Sequence, residues 1–146
     1  FMGQDFGQIS EWSEERGLDW NLLADGKAMA SDTGEVIRVK SSHRMLQDFV
    51  ADLWKFYKAH PAMYAWEEIP DGFEWVSMLD ADHSVIAFMR EAEDEKLLVV
   101  CNFTPVCYPE FKLGVPYAGK YKEILNSDAI VYGGENHTNP RLKNSK

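Results

Sequence analysis

Two cysteines, four histidines and a deficit of basic residues define this sequence by what it lacks. Cys101 and Cys107 are too few for a disulfide framework and form no CxxC pair, which excludes a stapled scaffold. Cys101 lies in the apolar run Leu97-Leu98-Val99-Val100-Cys101, where a thiol reads as a small hydrophobe, so no cysteine nucleophile is expected. His43, His60, His83 and His137 are scattered without metal-ligand spacing, so no metal and no other cofactor is expected. Fifteen Lys and Arg against 24 Asp and Glu give a net charge of -9. A phosphate backbone attracts the opposite sign, so no nucleic-acid partner is expected, and an anionic membrane surface is disfavoured for the same reason. No apolar run approaches the roughly 20 residues of a spanning helix, and no secretory signal stands at the start. The thiol usage fits a reducing cytoplasm, the expected location. Gly3-Gln4-Asp5-Phe6-Gly7 lacks the spacing of a phosphate-binding loop, and no G-x-S-x-G elbow exists. The adjacent carboxylates Glu14-Glu15 and Glu67-Glu68 sit in polar surroundings and read as solvated.

What is present is a globular composition, 45% hydrophobic and 27% charged, in 146 residues. A chain of that length buries about 68–70% of its unfolded surface and needs no staple. The abrupt apolar opening, Phe1-Met2-Gly3, is read as the edge of a longer chain. Residues 1–35 read as loops with short helical pieces, because Gly, Ser and Asp interrupt every period. Residues 36–40 fit strand or helix. Residues 42–59 are predicted as a helix: Met45, Leu46, Phe49, Val50, Leu53, Trp54 and Tyr57 form one apolar stripe, with Ser41 or Ser42 as N-cap. His60-Pro61 ends it, because the residue before proline is pushed out of the helical region.

Beyond residue 63 the runs become short, β-branched and aromatic. Strands are predicted at 73–78, 84–90, 96–103, 120–125 and around 110–113, separated by turn-like stretches. That spacing suggests an antiparallel sandwich or meander. The tail from Gly133 is polar and without period. Aromatics reach 13%, with five tryptophans. Trp12, Trp20, Trp66 and Trp75 stand in or beside loops and short strands. Flat rings near polar groups suit a ligand with an apolar face and many hydroxyls, as a glucan has; core packing is the competing use.

Several ordered motifs resemble the bacterial 1,4-α-glucan (glycogen) branching enzymes of the α-amylase superfamily. Phe1-Met2-Gly3-Gln4-Asp5-Phe6-Gly7-Gln8, Glu11-Trp12 and Gly17-Leu18-Asp19-Trp20-Asn21-Leu22-Leu23 are similar to the segment after the eighth barrel strand. Residues 42–59 resemble the last barrel helix, followed by His60-Pro61-Ala62-Met63. Gly72-Phe73-Glu74-Trp75, Val99-Val100-Cys101-Asn102-Phe103-Thr104-Pro105-Val106, Tyr121-Lys122-Glu123-Ile124-Leu125-Asn126-Ser127-Asp128 and Tyr132-Gly133-Gly134 resemble the C-terminal β domain. The family usually has Glu where this chain has Asp5, a carboxylate of shorter reach.

The resemblance implies an α+β fragment. Residues 1–63 would be the end of a (β/α)8 barrel, loops plus last helix, and 64–146 a C-terminal all-β domain, an antiparallel sandwich lacking its last strands. It implies a parent that cleaves an α-1,4-glucan and transfers the chain to a 6-hydroxyl, making α-1,6 branches by retaining double displacement. The family's nucleophile Asp, acid/base Glu and stabilising Asp fall upstream of Phe1, so the catalytic set within this chain is none and the chain alone is expected to be inactive. Trp75, Trp12, Trp20, Gln4, Asp5 and Glu11 are the residues expected to bind or border glucan. The expected partners are α-glucan and the rest of the barrel, with self-association of the chain through uncovered apolar surface. The alternatives are a stand-alone carbohydrate-binding β module and part of a related α-amylase-superfamily hydrolase.

Overall fold

Residues 2–26 and 39–139 are described by the computed structural model. The periodic run forms one helix, α1 (Ser42–Ala59), with the bounds predicted from sequence. Ser41 is its cap: its Oγ accepts the Arg44 N–H at 3.1 Å and donates to the Leu22 carbonyl at 2.8 Å. His60 is extended at φ -118° and Pro61 opens a short 3-10 turn, Pro61–Met63, so the proline ends the helix as its sterics require.

Three of the predicted strands form. β1 (Phe73–Asp80), β2 (Val85–Ala92) and β3 (Glu95–Asn102) make one antiparallel sheet in the order β1-β2-β3. The β2–β3 ladder runs unbroken from Val85 opposite Asn102 to Ala92 opposite Glu95, closed by the two-residue turn Glu93-Asp94 with Glu93 at φ 48°. The β1–β2 ladder shifts register after Trp75 and again after Ser77. Along β2, Val85, Ala87 and Met89 are buried on one side, the period-2 pattern of a half-covered strand.

Two expectations need correction. No strand forms at 110–113 or 120–125, and the described residues make one sheet rather than the two layers of a sandwich. Aromatic and β-branched residues favour a pleated surface, but a strand also needs a ladder to satisfy its backbone. Around 110–113, Pro109 and Pro116 bracket the run and withhold donors. At 120–125 the ordering comes from a side chain: Glu123 accepts both the backbone and the side-chain N–H of Asn139, at 3.2 and 2.6 Å. The reading of residues 36–40 falls mostly outside the described residues; Val39 makes an isolated bridge to Gly26.

The described residues fall into two compact units, one built from residues up to 54 together with those from 121 onward, the other from 55–120. In the first, two 3-10 turns, Gln4–Phe6 and Trp20–Leu23, match the loop-and-short-helix reading over residues 2–26; the rest of that reading lies outside the described residues. Phe6 is fully buried there, and Leu23 nearly so. The apolar stripe of α1 is only partly covered in this unit: Phe49 meets Tyr132 edge-on at 5.2 Å, while Trp54 remains 59% exposed. In the second unit, Ala62, Ala92 and Leu97 form a small core, with Phe56, Met63 and Trp66 packed around it.

Candidate functional site

The aromatic candidates divide between the two units. Trp75 belongs to the second, on β1, opposite Phe88 of β2. Phe73, two residues earlier, shares its face, as strand alternation dictates. The Phe73 ring stacks on Phe88 at 5.3 Å and meets Trp75 edge-on at 5.0 Å, and Trp75 stands nearly perpendicular to Phe88 at 5.9 Å. The register shift directly after Trp75 is the kind of irregularity that re-aims a side chain. Trp75 stays 47% exposed. Half its surface is packed on other rings and half is open, so it can offer a flat apolar face without unfolding anything. Phe88 was missed in the sequence, although its place opposite Trp75 follows once the hairpin register is known.

Gln4, Asp5 and Trp20 belong to the first unit and gather around Phe6. Gln4 and Asp5 share its 3-10 turn, and the Trp20 ring lies 5.4 Å from that of Phe6. Asp5 Oδ2 accepts the Gln47 side-chain N–H from α1 at 3.0 Å, so the shorter carboxylate does find a partner. His43 on α1 bonds the Phe6 carbonyl through Nδ1 at 2.8 Å, and Gln8 Oε1 accepts the Asp19 N–H at 2.9 Å. His43, Gln47 and Gln8 order this loop, and no sequence signal pointed to them. Glu11 contributes its carbonyl, which accepts from Arg16 at 2.9 Å, and Trp12 is half exposed.

The charged groups of the second unit form local pairs. Glu91, buried on the central strand, is bonded to Lys96, and the Lys96 ammonium sits 3.9 Å over the Tyr117 ring. Burial opposes ionisation of Glu91, but its hydrogen bonds to Lys96 and Tyr117 outweigh that and keep the carboxyl below its usual range. Asp80, the last residue of β1, accepts from His83 Nδ1 at 2.7 Å, which lowers its pKa. Beside it lies an apolar hollow of about 320 Å³ lined by Met78, Val85, Ile86 and Phe103. Cys101 is half-buried, with its thiol pushed up by burial, and Cys107 is exposed. Among the described residues, no three His, Cys, Asp or Glu side chains are grouped to hold a metal ion. The exposed aromatic candidates are Trp12, Trp20 and Trp75.

Comparison with known proteins gives these surfaces a context. Residues 75–145 match the family described as alpha amylase, C-terminal all-beta domain. The chain is 41% identical over 141 residues to the 1,4-alpha-glucan branching enzyme GlgB of Cereibacter sphaeroides, covering 96% of this chain and 17% of that protein. It is 42% identical over 138 residues to GlgB 1 of Xanthomonas axonopodis pv. citri, covering 93% and 17%. It is 38% identical over 143 residues to GlgB of Geobacillus stearothermophilus, covering 97% and 20%. The chain thus spans a fifth or less of the length of the curated relatives it matches. Similarity to proteins named 1,4-alpha-glucan branching enzyme thus runs through nearly all the residues of this chain.

Proposed function

We propose that this chain is the part of a glycogen branching enzyme that closes the catalytic barrel and begins the β domain. The observation that carries the reading is the 38–42% identity to GlgB proteins over 93–97% of the chain. In this reading residues 1–63 are the last loop and helix of the barrel and 64–146 belong to the β domain. The half-covered stripe of α1 then awaits the barrel wall. The parent enzyme cleaves an α-1,4-glucan through a glycosyl-enzyme and hands the chain to a 6-hydroxyl, in the cytoplasm. The paired carboxyls of that reaction, about 5–5.5 Å apart in a retaining enzyme, belong to other parts of the parent. The chain alone is inactive.

Trp75 is the glucan platform of this piece, because it packs against two neighbouring rings, Phe73 and Phe88, yet stays half open. Around Phe6, Gln4, Asp5 and Trp20 border the cleft, with Glu11 and Trp12 on the stretch that follows.

The test is a chimera in which these 146 residues replace the matching part of the Geobacillus stearothermophilus protein. The chimera should form α-1,6 linkages, read by iodine staining and debranching. Trp75→Ala in it should weaken glucan binding by about tenfold, the loss of one aromatic anchor, with the chimera still folded. A folded chimera without branching would refute the family role. Unchanged glucan affinity with a lowered melting temperature would make Trp75 a packing residue.

A further inference from the structure

The turn after α1 is gripped by two oppositely charged residues of the β2–β3 hairpin. Pro61 has no N–H, so the first donor of the turn is Ala62, which is fully buried. Glu95, at the start of β3, uses both oxygens: Oε2 accepts the Ala62 N–H at 2.9 Å, and Oε1 bonds His60 Nδ1 at 2.5 Å. Arg90, on β2, takes the acceptor side: it donates Nε to the Ala62 carbonyl at 3.3 Å and Nη2 to the Met63 carbonyl at 3.0 Å. The His60 ring is further fixed against Phe56, centroids 4.1 Å apart. A carboxylate can only accept, so His60 Nδ1 must carry a proton. When the ring is neutral, Nε2 is then left bare, the reverse of the tautomer a free imidazole prefers.

We propose that Glu95 is an acid-released latch: ionised, it fixes His60 as the Nδ1–H tautomer and, with Arg90, holds the Pro61–Met63 turn on the hairpin, and its protonation lets the turn go. Burial opposes ionisation of Glu95, but the hydrogen bonds from His60 and Ala62 outweigh it, so its carboxyl lies below the usual value. A depressed carboxyl contributes stability that is complete above the unfolded pKa of about 4.3 and is lost as pH falls through the folded value. The charged groups in the elements that meet here are Lys58 at the end of α1, Arg90 and Glu91 on β2, Glu93 and Asp94 in the hairpin turn, and Lys96 on β3. Glu91 and Lys96 are engaged with each other, and the charge that acts on Glu95 is that of His60.

The experiment is nitrogen-15 and carbon-13 NMR of the 146-residue chain. With the ring neutral, His60 should show a protonated Nδ1 and a bare Nε2. In an acid titration the Ala62 amide and the Glu95 carboxyl should move together, with one midpoint below about 4.3. Glu95→Ala should return His60 to the Nε2–H form and cut exchange protection of the Ala62 amide by about tenfold or more, the fold-change of one charge-assisted hydrogen bond. A bare Nδ1 in the unaltered chain, or an Ala62 amide indifferent to Glu95 ionisation, would overturn the latch. Those two readings need no variant, so they decide the matter even if Glu95→Ala fails to fold.

Discussion

Tyr132 offers the sharpest test of how the first unit is tied together. Its hydroxyl donates to Asp52 Oδ2 at 2.8 Å, across 80 residues of sequence, and its ring meets Phe49 edge-on at 5.2 Å. Tyr132→Phe keeps the ring pair and removes only the hydroxyl. Hydrogen bonds to charged groups contribute about 1.5–3 kcal/mol, and partial exposure of this one places the loss at about 1–2 kcal/mol. At about 2–4 °C per kcal/mol for a chain of this size, the melting temperature should fall by about 2–8 °C. Tyr132→Ala also forfeits the aromatic pair, about 0.5–1.5 kcal/mol, and the area beneath it, so it must cost more. The pH dependence is independent of the variants. Burial first, then the Asp52 carboxylate, raise the Tyr132 pKa above the ordinary phenol value. A raised folded pKa means that the contribution is complete below about 10 and is lost as pH rises through the folded value. The assay is thermal unfolding followed by circular dichroism, with phenol ionisation read by ultraviolet absorbance. Equal melting temperatures for Tyr132→Phe and the unaltered chain, together with an ordinary phenol titration, would refute the contact.

Further predictions concern the loops. Gly72→Ala would drive its Cβ into the backbone carbonyl of Trp66 and should cost about 1–3 kcal/mol by denaturant unfolding, whereas Gly114→Ala meets nothing within 4 Å and should be neutral or slightly stabilising. Equal midpoints for the two would contradict the close approach at Gly72. In the 126–137 loop, the backbone N–H groups of His137 and Glu135, at 2.7 and 3.1 Å, hold the Asp128 carboxyl below its usual value. Its contribution should therefore persist above about 3.9 and vanish as pH falls through the folded value, read by carboxyl carbon shifts; an ordinary midpoint would count against these bonds.

Local signals were legible where one segment carries its own instruction. The stripe from Met45 to Tyr57 and the serine before it were enough for α1, and Pro61 was enough for its end. The hairpin strands were readable from their short β-branched and aromatic runs and from the turns between them. The runs at 110–113 and 120–125 misled, because β propensity states only that a residue suits a pleated surface, not that a neighbouring strand exists to pair with it. In the candidate site, Trp75 and Phe73 were legible as same-face neighbours. The rings that brace them, and the bond from Gln47 to Asp5, depend on residues 13 or more positions away. The same limit applies to Glu95, which holds His60 and Ala62 from more than 30 residues away.

The sequence by itself determined the helix and the hairpin strands, because these rest on local signals, and its ordered motifs carried the resemblance to the branching enzymes. Only the tertiary structure decided which polar groups became partners: Glu95 with Ala62, Tyr132 with Asp52, Gln47 with Asp5. The physical reason is that a buried donor or acceptor must be satisfied by whatever the fold brings near, and nothing in the neighbouring residues announces what that will be.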